Sequence, residues 1–127
     1  MLSVRLRAAA LALIAAFAAS PAAAELRLLM FDRPGCTFCA QWDREVGPAW
    51  PLSPEGRAAP LLRTGIKDPL PEGVTLKRPA AYTPTFILLE HGEERARIEG
   101  YPGADFFWGL IARMLKEAGA DYTPPKS

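Results

Sequence analysis

Cys36 and Cys39 are the only cysteines in the chain, and their setting limits its folds more than any other feature. They lie in "RPGCTFCAQW", directly after an apolar run, "ELRLLMFD", that reads as a buried strand from Glu25 to Asp32. Pro34 and Gly35 break that strand. Downstream, "CAQWDREVGPAW" holds no turn residue until Gly47-Pro48. A helix is expected from about Cys36 to Val46, ended or kinked by Pro48. The folded chain therefore opens as a strand, a tight break and a helix that starts on a cysteine pair.

What precedes Glu25 has a different character. Arg5 and Arg7 are followed by an uncharged apolar run of twelve residues, Ala8 to Ala19, then Ser20-Pro21 and three alanines. Ala22 and Ala24 take the −3 and −1 positions of a cut before Glu25, which completes the three parts of a secretory signal peptide. A helix of that length rises about 18 Å, short of the roughly 30 Å hydrocarbon core, so a spanning anchor is disfavoured. The sequence thus divides into a signal peptide over 1–24, a domain over 25–119 and a flexible tail over 120–127. Cleavage removes two arginines and no acid, leaving 13 basic against 14 acidic side chains. With no basic excess, no Lys/Arg cluster and no aromatic ladder, nucleic acid is not an expected partner. Such a leader delivers the chain to an oxidising compartment, where its two cysteines can form one disulfide. The mature length is enough to build a core without that bond.

Along the domain, "PLSPEGRAAP" is loop-like, with another helical turn over Ser53 to Ala59. "PLLRTGI", Pro60 to Ile66, reads as a second strand. "KDPLPEGVTLKRPAAY" is rich in Pro and Gly and reads mostly as loop, with a helical turn near Pro79 to Tyr82. "PTFILLE", Pro84 to Glu90, is the clearest strand, and after the turn "HGEE" the alternating "RARIEGY" pairs with it as a hairpin. Phe107, Leu110, Ile111, Met114 and Leu115 recur at helical spacing between Ala104 and Ala118, and Gly119 is the stop signal. This order implies a mixed sheet with helices on its faces.

Four readings fit a C-x-x-C pair: metal clip, haem anchor, structural crosslink and redox centre. Structural zinc needs four ligands, and the chain offers two cysteines and one histidine, His91, which reads as a solvated turn residue. A c-type haem needs histidine directly after the second cysteine, where Ala40 stands. A crosslink across two residues closes so small a loop that it stabilises little. A redox pair fits better. At a helix start Cys36 meets backbone amides that favour its thiolate, and Cys39, one turn later, can attack a mixed disulfide formed by Cys36. No metal and no cofactor is expected, and the inert crosslink stays open as the alternative.

In this setting the chain resembles the thioredoxin superfamily. The strand leading into "CTFC" carries part of the likeness. "YTPTFILLE" carries more, because Thr83-Pro84 stands where that family places a proline, usually cis, opening the strand that faces the cysteines. Pro84 follows Cys39 by 45 residues. The hairpin ending at Gly100 and the last helix complete the likeness, which spans Glu25 to about Gly119. It implies an α/β protein of thioredoxin fold, a central mixed four-stranded sheet flanked by helices. It also implies that Thr83 offers its backbone to a partner's extended segment while Pro84 shields the pair, with Pro34, Gly35, Thr37 and Phe38 supporting the motif.

The motif also departs from the family's usual form. Typical members have Gly-Pro between the cysteines, Trp just before them and a buried Asp six positions before the first. Here those places hold Thr37-Phe38, Gly35 and Met30. The nearest acid, Asp32, is expected in an exposed loop as a solvated charge, and Trp42 beside the motif or in the core. Within the superfamily the pattern is most similar to the periplasmic SoxS-type thioredoxins that accompany bacterial sulfur-oxidation systems. That likeness implies a periplasmic thiol-disulfide oxidoreductase that reduces a partner protein's disulfide or blocked cysteine, with Cys36 as nucleophile and Cys39 resolving; with no large exposed apolar patch to infer, a monomer is the default. A membrane electron donor would re-reduce it. A disulfide oxidase or isomerase, and a redox-inert binding module of the same fold, are the alternatives.

Overall fold

In the computed structural model, residues 25–124 and 126 are described, and the expected leader over 1–24 lies outside them. The elements run β1 (Leu26–Asp32), α1 (Thr37–Glu45), α2 (Pro54–Ala58), β2 (Leu61–Gly65), β3 (Thr85–Glu90), β4 (Glu93–Glu99) and α3 (Ala104–Glu117). A short 3-10 turn at Trp50–Leu52 precedes α2, whose Ser53 cap accepts a hydrogen bond from the Gly56 amide at 2.9 Å. The strands form one mixed sheet in the order β2-β1-β3-β4. β1 pairs with β2 in parallel and with β3 antiparallel, and β3 and β4 form an antiparallel hairpin.

The position of each strand explains its pattern. β1 and β3 are central and covered on both faces, so they read as continuous apolar runs, whereas β4 at the edge alternates. β4 starts at Glu93 rather than at the expected Arg95. His91 and Gly92 both take positive φ, 50° and 80°, the pattern of a two-residue type I′ turn, so Glu93 already pairs with Glu90.

The two faces are closed in different ways. Leu26, Leu28, Met30, Phe86 and Leu88 face a core shared with Trp42 of α1, Trp50, and Phe107, Ile111, Met114 and Leu115 of α3. Phe107 is the centre of this core. Its ring lies 4.8 Å from Phe86, 5.9 Å from Trp42 and 6.2 Å from Trp50, centroid to centroid. Edge-on and offset pairs of this kind add about 0.5–1.5 kcal/mol each beyond their buried area. After α3, in the expected tail, Ala120 and Tyr122 still pack against this core.

The opposite face presents Leu29, Phe31, Ile87 and Leu89, and no described helix covers it. The connection from β2 to β3 does so instead, laying Val74, Leu76 and Ala80 on the sheet. The helical turn expected near Pro79 to Tyr82 is not there: the chain runs without helix and bends at 82–84. Pro79 has no amide to donate, and the Arg78 and Pro79 carbonyls bond to the Arg97 guanidinium instead of to a following turn.

Tyr101, between β4 and α3, is buried, and its hydroxyl donates a hydrogen bond to the Glu45 carboxylate at the end of α1. That bond, followed by one from Gln41, holds the Glu45 carboxyl below its ordinary range, while burial first and Glu45 second push the Tyr101 phenol up. A depressed carboxyl contributes stability above its ordinary pKa and loses it as pH falls through the lowered value. Tyr101→Phe is therefore expected to lower the urea midpoint at neutral pH, with the two proteins converging through the acid range. A gap independent of pH would contradict this.

Candidate active site around the Cys36 and Cys39 pair

β1 ends at Asp32 and the chain reverses over Arg33–Cys36, closed by a hydrogen bond from the Cys36 amide to the Arg33 carbonyl at 3.3 Å. Pro34 followed by Gly35 at φ +76° is the signature of a type II turn, and the positive φ is what calls for glycine there. The turn delivers Cys36 as the N-cap of α1. Its sulfur accepts the Cys39 amide at 3.1 Å. The two cysteines are joined by a disulfide, with Cα atoms 5.2 Å apart.

Three features favour negative charge on the Cys36 sulfur once the bond is reduced. The Cys39 amide points at it, it stands at the positive end of a helix, and the first turn of α1 carries no acid. The pair is also graded in access: Cys36 is 9% exposed and Cys39 4%, so Cys36 is nearer the solvent. Thr37 and Phe38 lie outside, with Phe38 56% exposed. Trp42, the next residue on the buried side of α1 after Cys39, is fully buried against Phe86 and Phe107. It belongs to the core and anchors the helix beneath the motif.

Antiparallel pairing brings the second half of the motif to the same end of the sheet. Phe31 lies opposite Thr85, so Pro84 falls level with Asp32 at the end of β1 and Thr83 extends past it, where the Cys36 turn departs. The Thr83–Pro84 peptide is cis and Pro84 is buried. The Thr85 hydroxyl donates to the Tyr82 carbonyl at 2.7 Å, and the Gly100 amide donates to the Pro84 carbonyl at 2.7 Å. Among the described residues neither backbone group of Thr83 has a backbone partner, and Tyr82 beside it is 62% exposed.

Asp32 stands at the strand end that the apolar run marked, but it is not the solvated loop charge expected. It is the last residue of β1, not a loop residue, and Arg63 of β2 holds it at 2.7 Å while reaching Asp43 of α1 at 2.6 Å. Parallel pairing of β1 with β2 sets Arg63 opposite Met30, within reach of both acids. The two carboxylates, Asp43 first, raise the Arg63 guanidinium above its already high value. Asp32, Asp43 and Arg63 line a cleft of about 470 Å³ together with Cys36, Cys39, Arg33 and Arg44. This charged floor was not among the sequence expectations. Two signals point to it: Asp43 follows Cys39 by four residues, on the same side of a helix, and Arg63 is the one charge in "PLLRTGI".

Among the described residues, no cluster of three or more His, Cys, Asp and Glu side chains is placed to hold a metal, and His91 lies exposed in the hairpin turn. No described helix is long and apolar enough to cross a membrane. A disulfide at a helix start, beside a strand-opening proline and over a polar cleft, can exchange with an external thiol or disulfide.

No protein-family model matches the chain, and neither does any curated protein. Among solved structures, the chain is 55% identical to the periplasmic thioredoxin SoxS from Paracoccus pantotrophus, crystallised in its reduced form. That match covers 74% of this chain and 99% of the other, with a TM-score of 0.73.

Arg63→Met would leave two carboxylates facing the cleft without their cation, and like charge disfavours a thiolate. Alkylation of Cys36 by iodoacetamide in the reduced variant is expected to slow by roughly two- to fivefold at low salt. The difference should shrink at high salt, because the pair is partly exposed and screened. An unchanged rate at low salt would show that Arg63 does not act on the sulfur.

Proposed function

The chain belongs to the thioredoxin superfamily, in its SoxS-like branch, and as a thiol-disulfide oxidoreductase of that branch we propose that it works as a periplasmic reductase of a partner protein. The Cys36 thiolate attacks a disulfide, or a blocked cysteine, on that partner. A Cys36–partner bond forms, the partner's own sulfur bond breaks, and the departing sulfur takes a proton from solvent. Cys39 then gives up its proton and attacks the Cys36 sulfur. The Cys36–Cys39 disulfide closes and the second partner thiolate leaves. The two electrons pass from the cysteine pair to the partner, and a membrane dithiol donor returns them.

In this reading Thr83 pairs its free backbone groups with an extended segment of the partner, as an added strand would. Pro84 covers the sulfur pair, and Pro34, Gly35, Thr37 and Phe38 shape the turn and its rim. The observation that carries the reading is the graded pair itself: a more accessible Cys36 whose sulfur accepts a helix amide, with the less accessible Cys39 one turn away.

Two measurements test it. Cys39→Ser should accumulate a stable mixed disulfide with a protein substrate through Cys36, since the resolving thiol is gone, while Cys36→Ser should accumulate none. Equal trapping by both variants would remove the assigned roles. The equilibrium potential against a glutathione buffer gives the direction. A value near the reducing thioredoxins, roughly −270 mV, is expected, and one near the strong oxidants, roughly −120 mV, would turn the assignment toward a disulfide donor or isomerase.

A further inference from the structure

The connection between β2 and β3 spans residues 66–84 without an α-helix or a paired strand beyond one bridge, at Thr75. Uncovered loops of that length are uncommon inside small domains, and something has to hold this one still. β4 does so at two points. The first is backbone: the Thr75 amide donates to the Gly92 carbonyl at 2.8 Å, and the Glu94 amide donates to the Thr75 carbonyl at 3.0 Å. The second is at 78–79, where the Arg78 side chain binds Glu99 at 2.6 Å and one arginine of β4 holds the backbone. Arg97 donates to the Arg78 carbonyl at 2.7 Å and to the Pro79 carbonyl at 3.3 Å.

Arg97 is itself locked. Its side chain is 5% exposed and that of its partner Glu94 3%, and Glu99 lies 3.5 Å from the same guanidinium while also binding Arg78. An arginine fork can satisfy two acids and two carbonyls at once, and it stays charged at any working pH. The carbonyls it fixes lie a few residues before Tyr82 and Thr83. After Thr83 the chain is fixed again, by the Gly100 amide on the Pro84 carbonyl. Just before Thr83 the Thr85 hydroxyl holds the Tyr82 carbonyl at 2.7 Å, so the run from 78 to 84 is pinned through its carbonyls at three places, and Arg97 supplies the one furthest upstream.

We propose that Arg97, on the face of the sheet opposite the helices, is a positioning residue for partner binding: by holding the Arg78 and Pro79 carbonyls it sets where Thr83 meets a protein substrate. This rests on the reading of Thr83 as the partner-pairing residue. Arg97 does not touch the sulfur pair. It governs how well a protein substrate docks, and leaves unchanged the sulfur chemistry that a small disulfide reports.

The test uses the pre-reduced protein with insulin as protein disulfide and hydroxyethyl disulfide as small one, following single-turnover oxidation against substrate concentration. Arg97→Lys keeps a cation beside Glu94 but cannot bridge both acids and both carbonyls. It is expected to raise the half-saturating insulin concentration roughly five- to tenfold, the scale of re-ordering a loosened segment on binding. The limiting rate, the rate with hydroxyethyl disulfide and the equilibrium potential should stay unchanged. Glu94→Gln, which loosens the buried pair but leaves the carbonyl bonds in place, should keep the half-saturating concentration of the unmodified protein despite a lower melting temperature. If both variants shift it, or neither does, the positioning role is overturned. An unmodified protein that oxidises with hydroxyethyl disulfide yet shows no saturation with insulin would instead overturn the reading of Thr83 on which the proposal stands.

Discussion

The packing around Phe107 is the constraint on which the site depends. Its ring is fully buried and lies against Trp42, Trp50, Phe86, Tyr101 and Trp108. Those neighbours come from α1, the 3-10 turn, β3, the β4–α3 loop and α3 itself, so one side chain registers most of the helical layer on the sheet. α1 has two buried residues, Cys39 and Trp42. Locking Trp42 between Phe86 and Phe107 therefore fixes the depth at which Cys39 lies and the angle at which the helix start presents Cys36. Geometry at the sulfurs is set by apolar packing a turn below them. Tyr101 extends the same packing to the far end of α1 through Glu45.

Two arginines complete this arrangement on opposite sides of the sheet. Arg63 gathers Asp32 from the end of β1 and Asp43 from α1. Arg97 gathers Glu94 and the carbonyls of a segment that forms no helix or strand of its own. In each case a planar fork with several donors ties a strand to an element that shares no ladder with it, Asp43 of α1 in one and the Arg78–Pro79 backbone in the other. Their surroundings differ. The Arg63 pairs are partly exposed, so salt and solvent weaken them, whereas the Arg97–Glu94 pair is almost fully withdrawn from water and breaking one side leaves a buried charge.

What the sequence disclosed and what it hid follow from the range of the forces involved. β1 and β3 were legible because central strands are buried on both faces and read as unbroken apolar runs. α3 was legible from its apolar spacing, and the helix start at Cys36 from the Pro-Gly turn before it. The cysteine chemistry could be narrowed by counting ligands and loop size, and a mixed sheet flanked by helices followed from the order of elements. The β4 start was missed by two residues, because a histidine at positive φ is a weak turn signal beside glycine. The strand bound at Asp32 was legible but its ion pair was not, because its partner is 31 residues away and only the β1–β2 register brings Arg63 to it. The role of Arg97 was invisible for the same reason. A charge in an alternating edge strand reads as solvent-facing until the connection that covers it is known.

The sheet carries its sulfur pair on the helical layer, while the segment leading to Thr83 is tied down on the opposite layer, through bonds to main-chain carbonyls. Carbonyl bonds are indifferent to the identity of the residues that supply them. Exposed side chains of the segment can therefore drift while Val74, Leu76 and Ala80 stay committed to covering the sheet, and insertions can lengthen its outer bends without disturbing the helix beneath the cysteines. On the proposed docking role of Thr83, substitutions in this layer would alter the choice of partner and leave the sulfur chemistry unchanged, because the two properties would be stored in separate layers of one small domain.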